Sequence, residues 1–509
     1  MADDIAAATT ASDDERRLHE LGYAQELRRR MSGFSNFAVS FTIISILSGC
    51  LTLYGYGMNT GGPAIIVWGW PIVGIMTLFV GLAMAEVCSS FPTAGGLYYW
   101  AAKLAPRNGP AWSWFTGWFN FLGQVAVTAG IDFGCAFFIN ALLNLVWGVS
   151  TAHWVTIVIF AGILFLHGVM NQFGIRLVAL LNNVSVWWHI IGVLIIVAVL
   201  AFVPSKHASG TYVFTNIVNN TGWHSTLYVL LLGLLLAQYT FTGYDASAHM
   251  TEETRDASRS GPRGIVMSIV VSLIAGWVLL IGITFAIQAQ HYTLYTGALV
   301  PPAQIFITAI GGTGAKLLLL VIIGAQLFCG MSSVTANSRM IYAFSRDGAL
   351  PGSNLWHQVN KRTRTPTNAI WLAAGGALIL GLPYLWNSAA YAAVTAIAVI
   401  GLYIAYVAPT FLRLRQGENF RRGPWHLGRW SYLVGWIAVI WVVFITILFM
   451  LPTASPIGWG NFNYTVIAVL VVLGFAGIYW LVSAKNWFTG PKVQGTAEEL
   501  AAIEQELSA

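Results

Sequence analysis

The chain has 509 residues, of which 57% are hydrophobic and only 9% are charged. Soluble globular domains carry about a quarter charged residues, so this composition excludes a water-soluble protein and indicates an integral membrane protein. The formal net charge of +6 does not call for a nucleic acid partner, and we expect none, because basic residues of membrane proteins collect in loops on one side of the lipid bilayer.

The chain begins with a polar segment, residues 1–31, which lacks the apolar core of a signal peptide and is interpreted as a cytoplasmic tail. Twelve apolar segments follow, each close to or above the length of about 20 residues that a helix needs to cross the hydrocarbon core. They lie near 37–57, 64–88, 113–143, 153–171, 184–203, 226–249, 264–288, 315–343, 368–386, 390–411, 432–451 and 463–483. Residues 484–509 form a second polar tail.

Basic residues are concentrated in the two tails and in the loops that follow the even-numbered spans, whereas the opposite loops hold only Lys206 and Lys316. This asymmetry predicts that both termini are cytoplasmic, in a multi-pass protein of the plasma or inner membrane. A wrong count of spans would scramble the pattern, so the asymmetry also supports twelve. No segment remains for a folded soluble domain, and we therefore expect neither an enzyme nor a cofactor.

Spans 1 and 6 contain helix-weakening residues near their middles. Span 1 reads "FTIISILSGCLTLYGYG", with Ser48 and Gly49, and span 6 reads "LLLAQYTFTGYDASAHM", with Thr242 and Gly243. Interruptions five spans apart are typical of inverted-repeat transporters, in which unwound backbone lines the ligand site. The bare N–H groups of such a break suit a carboxylate, and its C=O groups suit an ammonium group. Close helix packing is an equally simple explanation for the glycines.

Span 3 carries a polar stripe in an otherwise apolar helix. Asn120, Gln124, Thr128 and Asp132 recur every four residues and therefore share one drifting face. Polar stripes at membrane depth face the bundle interior or a water path. Asn120 and Gln124 are predicted to contact the substrate. Asp132 either attracts a cationic amine or serves as a hydrogen-bonding strut between helices.

Several stretches resemble the amino acid–polyamine–organocation (APC) superfamily, and within it the amino acid/choline transporter family of GABA, choline and polyamine permeases. They are "FTIISILSGCLTLYGYGMNTGGPA", "MAEVCSSFPTAGGLYYWAAKLAP", "GWFNFLGQVAVTAGIDFG", "FTGYDASAHMTEET" and "NSRMIYAFSRDGALP". The resemblance implies an all-α fold of the LeuT type, with spans 1–5 (about 32–205) and 6–10 (about 222–415) as inverted repeats. Spans 11 and 12 (about 430–483) are peripheral.

The resemblance also implies site residues. Ser48, Gly49 and Cys50 match the position at which relatives bind the substrate carboxylate through backbone amides, although Cys50 could equally be a small packing residue. Phe241, Thr242 and Gly243 match the unwound segment whose carbonyls face the substrate amine. Tyr239 aligns with an aromatic residue that covers substrate in some relatives, and the alternative is that it packs against lipid or a neighbouring helix.

Acidic residues follow the break in span 6. Asp245 must face polar groups at this depth, and we expect it to cap the resumed half-helix or to take part in coupling. Glu252 and Glu253, near the cytoplasmic end, are expected to pair with loop arginines.

Two coupling ions remain open. His189 in "LLNNVSVWWHIIGVLII" stands where proton-coupled relatives often carry a lysine, and histidine titrates near physiological pH. A neutral imidazole could instead hydrogen-bond to the break in span 1. Sodium is the alternative, because "GMSSVTANS" supplies the hydroxyls of Ser332, Ser333 and Thr335.

Together these patterns predict a secondary active transporter that moves a small amine-bearing solute, an amino acid such as GABA, by alternating access with proton coupling. Transport of choline or a polyamine, amino acid exchange, and a channel or nutrient receptor are the alternatives. The oligomeric state cannot be read from the sequence.

Overall fold

The computed structural model describes residues 13–173, 175–493 and 495–508. Throughout these ranges the regular structure is helical, and β-pairing is confined to two isolated bridges, Met31 with Thr254 and Thr60 with Asn219. Eleven helices in this part of the chain are long and apolar enough to cross a membrane. The sixth predicted segment instead holds a shorter apolar stretch, Thr226–Thr240.

The helices match the predicted spans in order. Span 1 is divided into Gly33–Ile44, Gly49–Thr52 and Tyr54–Asn59, and span 6 into Thr226–Gly233, Leu235–Thr240 and Ala246–His249. The others are span 2 (Gly62–Ser90), span 3 (Gly109–Trp147), span 4 (His153–Gln172), span 5 (Ile175–Phe202), span 7 (Ala257–Phe285), span 8 (Pro301–Arg346), span 9 (Thr367–Gly381), span 10 (Ala389–Gln416), span 11 (Ser431–Leu448) and span 12 (Thr465–Val482).

Span 8 starts earlier than the predicted segment 315–343. Its helix begins at Pro301 and is kinked at Gly311, where φ is 77° and ψ is 169°. The glycine- and lysine-containing interval around the kink lowers local hydropathy, so the sequence pattern located only the later part. The family and the two broken spans fit the predicted LeuT-type fold, while the boundaries of its two repeats stay a prediction.

Both terminal segments lie on the same face of the helical bundle. The Tyr23 hydroxyl donates to Asp347 in the loop after span 8 at 3.2 Å, and the Lys492 N–H donates to the same carboxylate at 3.1 Å. His19 and Glu504 also join the two termini at 2.8 Å. Because a chain with both ends on one face crosses the bilayer an even number of times, this arrangement supports twelve crossings.

Exposed apolar side chains mark the outer surface of the bundle. Phe165 of span 4, Leu194 of span 5 and Ile440 of span 11 are each 62–66% exposed. Large apolar surfaces of this kind indicate contact with another apolar phase, which for these helices is the lipid.

Spans 3 and 10 approach each other backbone to backbone. A Cβ atom on Gly123 would lie 2.6 Å from the Leu402 backbone nitrogen, and one on Gly401 would lie 2.8 Å from the Gly123 Cα. Only residues without a side chain allow helices to pack this closely. The two spans therefore form one tightly joined frame beside span 6.

Three buried ion pairs close the face that bears the termini. Arg339 Nε lies 2.8 Å from Glu253 Oε1, and Arg346 lies 3.3 Å from Glu252. The expected arginine partners are present, although both belong to the helix of span 8 and not to a loop. The third pair joins Arg413 of span 10 to Glu86 of span 2 at 3.1 Å. Each pair links different spans, so together they hold this end of the bundle shut.

Removing one partner of such a pair leaves an uncompensated buried charge. We expect Arg339→Gln to lower the free energy of unfolding by about 3–5 kcal/mol, measured as thermal unfolding of the purified protein in detergent. Arg259→Gln is the matched control, because Arg259 pairs with Asp256 at the exposed surface, where ion pairs contribute little. Equal losses in the two variants would contradict the assigned role of the Arg339 pair.

Candidate functional site

The break in span 1 exposes backbone N–H groups. Ser45 adopts a left-handed conformation (φ 36°), which ends the helix at Ile44, and helical geometry resumes at Gly49. The N–H groups of Ile46, Leu47 and Cys50 find no acceptor among the described residues. Unpaired buried amides are rare in folded proteins, so this group of three is a candidate binding surface for an anionic group.

The break in span 6 runs from Phe241 to Asp245. Gly243 has φ +90°, and a Cβ atom there would lie 2.1 Å from Ile43 Cγ2 of span 1. The two breaks therefore touch. Gly49 brings the half-helices together in the same way, since a Cβ at that position would lie 2.5 Å from Thr240 Oγ1. The predicted close packing at these glycines is therefore present, and so are the two breaks, whereas the lining of a ligand site by the breaks stays a prediction.

Two tyrosines of span 10 hold the unwound part of span 6. The Tyr403 hydroxyl donates to the Phe241 carbonyl at 2.5 Å, and the Gly243 N–H donates to the Tyr406 hydroxyl at 3.3 Å. These groups satisfy backbone atoms that the break would otherwise leave bare. Sequence reasoning missed both tyrosines, and the available signal was their spacing of three residues in an otherwise apolar span.

Asp245 lies at the centre of a buried network. It accepts hydrogen bonds from the Tyr406 hydroxyl at 2.6 Å and from Gln124 Nε2 at 2.7 Å, and His249 Nε2 lies 3.3 Å away. Asp245 is the N-cap residue of the resumed half-helix, as expected, but its side chain accepts no N–H from that helix. Donors from spans 3 and 10 occupy the carboxylate instead.

The polar stripe of span 3 faces the interior, as predicted: Asn120, Gln124, Thr128 and Asp132 are all buried. Its members have different partners. Asp132 Oδ2 lies 3.1 Å from His167 Nδ1 of span 4, and a Cβ at Gly330 of span 8 would lie only 1.7 Å from Asp132 Oδ1. Asp132 thus links spans 3, 4 and 8, and its contact with a substrate stays a prediction.

His189 contacts the break in span 1 directly. Its Nε2 lies 2.8 Å from Ser45 Oγ, and its Nδ1 lies 2.8 Å from the Ser185 carbonyl oxygen. Because a carbonyl only accepts, Nδ1 carries the proton in the neutral ring and Nε2 accepts from the Ser45 hydroxyl. The predicted residue therefore lies beside the left-handed turn, between two neutral partners.

The three hydroxyls considered for sodium have partners on three different spans. Ser332 donates to Asn182 of span 5 at 2.5 Å, Ser333 shares a hydrogen bond with Thr128 of span 3 at 2.8 Å, and Thr335 donates to Asn171 of span 4 at 2.6 Å. Ser332 and Thr335, three residues apart, share one broad face of the helix, whereas Ser333 is turned away from them. In the described structure each hydroxyl is thus engaged with a different neighbouring helix.

Tyr239 and Cys50 are enclosed at the site. Cys50 is fully buried, and Tyr239 is 3% exposed, with a hydroxyl that has no hydrogen-bond partner within the described ranges. A Cβ at Gly130 of span 3 would lie 2.4 Å from that hydroxyl. Tyr239 therefore packs toward span 3 rather than toward lipid.

A cavity of about 190 Å³ lies at the end of the bundle opposite the termini. It is bounded by Tyr56 of span 1, Leu235 of span 6 and the alanines at the start of span 10, and the loop between spans 11 and 12 covers it. Tyr56 and Leu235 belong to the outer parts of the two broken spans. The cavity therefore lies on the outer side of the breaks, whereas the buried ion pairs lie on the other side.

The conformation at Gly243 can be tested by substitution. Gly243→Ala adds a methyl group to a backbone at φ +90° and forces it against Ile43, so we expect a loss of transport and a stability loss of at least about 1–3 kcal/mol, measured by substrate flux and thermal unfolding. Gly474→Ala is the control, because nothing lies within 4 Å of that position in span 12. Wild-type flux in Gly243→Ala would show that the break tolerates a side chain.

Comparisons with known proteins identify the family. The sequence profile described as "Amino acid permease" matches residues 31–473. The chain is 47% identical to amino-acid permease BAT1 of Arabidopsis thaliana over 494 residues, covering 93% of this chain and 95% of that protein. It is 45% identical to the BAT1 homolog of Oryza sativa subsp. japonica, covering 96% and 98%. It is also similar to the GABA-specific permease of Saccharomyces cerevisiae, at 34% identity over 96% of this chain and 87% of that protein. The chain therefore belongs to the amino acid permease family of the APC superfamily, and it is a membrane transporter rather than an enzyme.

Proposed function

We propose that this permease is a secondary active transporter that carries an amino acid such as GABA through a site between the breaks of spans 1 and 6. The observation that carries the proposal is the set of three unpaired N–H groups at Ile46, Leu47 and Cys50. A substrate carboxylate would accept hydrogen bonds from all three. The neighbouring helices in the described part of the chain use their own carbonyl groups internally and so leave no acceptor for these N–H groups at membrane depth.

The other end of the substrate is assigned to span 6. Carbonyls of the unwound segment Phe241–Gly243 and the aromatic ring of Tyr239 suit an ammonium group, through C=O dipoles and a cation–π contact. Two amides of span 3 lie beside this segment. Gln124 donates to Asp245, and Asn120 Nδ2 lies 3.4 Å from His249 Nε2. The GABA-specific permease of Saccharomyces cerevisiae supports GABA as the first substrate to test.

Alternating access follows from which end of the bundle is closed. The Glu252–Arg346 and Glu253–Arg339 pairs shut the face that bears the termini, and the cavity near Tyr56 lies at the opposite end. We infer that the described arrangement is closed to the cytoplasm, with both termini cytoplasmic in the cell membrane, as the basic loops predict. Opening would require those pairs to separate.

A proton is the proposed coupling ion. The hydroxyls of Ser332, Ser333 and Thr335 bond to three different spans, which disfavours sodium, and three histidines are buried within the bundle: His167, His189 and His249. His189, which the sequence suggested as a residue that binds this proton, stays a candidate. Its neutral partners at Ser45 and Ser185 are equally suited to a positioning role at the break.

The test is uptake of labelled GABA into sodium-free proteoliposomes, with an inward proton gradient and the membrane voltage clamped. Uphill accumulation that disappears when the gradient is collapsed is the expected result. An active protein that never accumulates GABA under this gradient contradicts the pairing of GABA with a proton. The same vesicles then distinguish sodium drive, exchange of internal amino acid, and non-saturating channel flux.

Competition separates an amino acid site from a site for amines alone. We expect amino acids to compete with labelled substrate, and the corresponding amines without a carboxylate to compete at least about tenfold more weakly, because the N–H groups of span 1 would lose their acceptor. Choline and a polyamine are the reference compounds. Equal competition by choline or a polyamine would instead favour transport of a compound without a carboxylate.

A further inference from the structure

His249 is a buried histidine whose two ring nitrogens face different parts of the transporter. Nδ1 lies 2.9 Å from the carbonyl oxygen of Ala94, in the connection between spans 2 and 3. A carbonyl oxygen only accepts, so Nδ1 carries a hydrogen. Nε2 is the atom at which a further proton can be bound or lost.

The surroundings of His249 Nε2 accommodate both protonation states. The Asn120 amide lies 3.4 Å from this nitrogen, and its Nδ2 can donate to the unprotonated ring. Asn120 Oδ1 has no donor among the described residues, so after rotation of the amide it can accept from a protonated Nε2. The carboxylate of Asp245, at 3.3 Å, is at ion-pair distance and stabilises the added positive charge.

Neutral polar groups and paired acids make up the other surroundings of this pair. Span 10 presents the hydroxyls of Tyr403 and Tyr406, and span 6 adds Tyr244. Span 3 presents the neutral amides of Asn120 and Gln124. The nearest acids, Glu252 and Glu253, are already paired with Arg346 and Arg339. Asp245 is therefore the one counter-charge within ion-pair distance of His249 in the described structure.

We propose that His249, with Asp245 and Asn120, binds the coupling proton at Nε2. On binding, the Nε2 lone pair forms an N–H bond with a proton taken from water. On release, that bond breaks and the proton returns to water on the cytoplasmic side. This inference rests on the proposed proton-coupled transport and assigns the site that the function needs.

The position of His249 links proton binding to the opening and closing of the cytoplasmic face. The Ala94 carbonyl accepts from His249, while the Ala94 N–H donates to Glu252 Oε1 at 2.9 Å. Glu252 in turn pairs with Arg346 at the closed face. A neutral Nε2 leaves a lone pair facing the Asp245 carboxylate, so loss of the proton weakens this closed arrangement. The site binds the proton more tightly while the cytoplasmic face is closed and releases it as that face opens, which is the order that symport requires.

The other two buried histidines lack this combination. His189 contacts the break in span 1, but its partners are Ser45 and Ser185, which carry no charge. His167 has an acid partner in Asp132, but it connects spans 3, 4 and 8 and makes no contact with an unwound segment in the described residues. His167 is therefore the matched control for the same substitution, and His189 is the rival assignment.

The experiment compares His249→Gln with His189→Gln and His167→Gln in sodium-free proteoliposomes. Gradient-driven accumulation of GABA and proton movement per substrate are measured beside exchange at equal internal and external pH. We expect His249→Gln to lose accumulation and proton movement, and to lose less of its exchange activity, whereas His167→Gln keeps coupling and His189→Gln does not selectively lose it. Wild-type coupling in His249→Gln, or selective loss of coupling in His189→Gln or His167→Gln, overturns the assignment.

A second variant and a measurement on the unaltered protein cover the case in which His249→Gln does not fold. Asp245→Asn can donate an amide hydrogen to Nε2 without any bound proton, and we expect it to be uncoupled as well. In the wild type, hydrogen exchange around residues 91–96, corrected for intrinsic rates, should rise as pH increases, because the link through Ala94 loosens. Retained coupling in Asp245→Asn, or pH-independent exchange there, overturns the proposal. If wild-type vesicles show no proton-driven accumulation, it is the proposed function that fails.

Discussion

Backbone hydrogen bonding in a medium without water is the constraint on which the centre of this protein depends. A helix satisfies its own N–H and C=O groups, so an interruption at membrane depth needs partners from elsewhere. Tyr403 and Tyr406 supply them for span 6, and the His189–Ser45 contact holds the turn in span 1. In span 1 a small set of amides remains unpaired among the described residues. In the proposed function, these are the groups that a substrate carboxylate would bind.

The charged residues have a different task. Buried ion pairs contribute little net stability, because the loss of hydration offsets much of the attraction, but breaking one is expensive. Pairs such as Glu252–Arg346 and Glu253–Arg339 are therefore well suited to define two distinct conformations. The Ala94 backbone connects one of these pairs to His249. Electrostatics at the closed face and hydrogen bonding at the break in span 6 thus belong to one continuous network.

Hydropathy and glycine placement were enough to predict the order of spans and the two breaks, because both follow from local composition. The stripe on span 3 was also predictable, since its four-residue repeat places its members on one face. The partners were not predictable: Asp132 and His167 meet although they lie on different helices, and tertiary packing alone decides that. Asp245 occupies the expected N-cap position, but the partners of its side chain could not be predicted for the same reason. Donors from two distant spans compete for its carboxylate and win over the local N–H groups.

The contact between Gly123 and Gly401 has a mechanical consequence. Backbones this close cannot slide past each other without collision, so spans 3 and 10 behave as a single rigid body. These two spans hold span 6 through the hydroxyls of Tyr403 and Tyr406 and the amide of Gln124. Any movement of the inner half of span 6 relative to spans 3 and 10 would therefore require these hydrogen bonds to break. A neutral bond of this kind contributes about 1 kcal/mol net, and each bond to the Asp245 carboxylate contributes about 1.5–3 kcal/mol, so a few hydrogen bonds hold span 6 to spans 3 and 10.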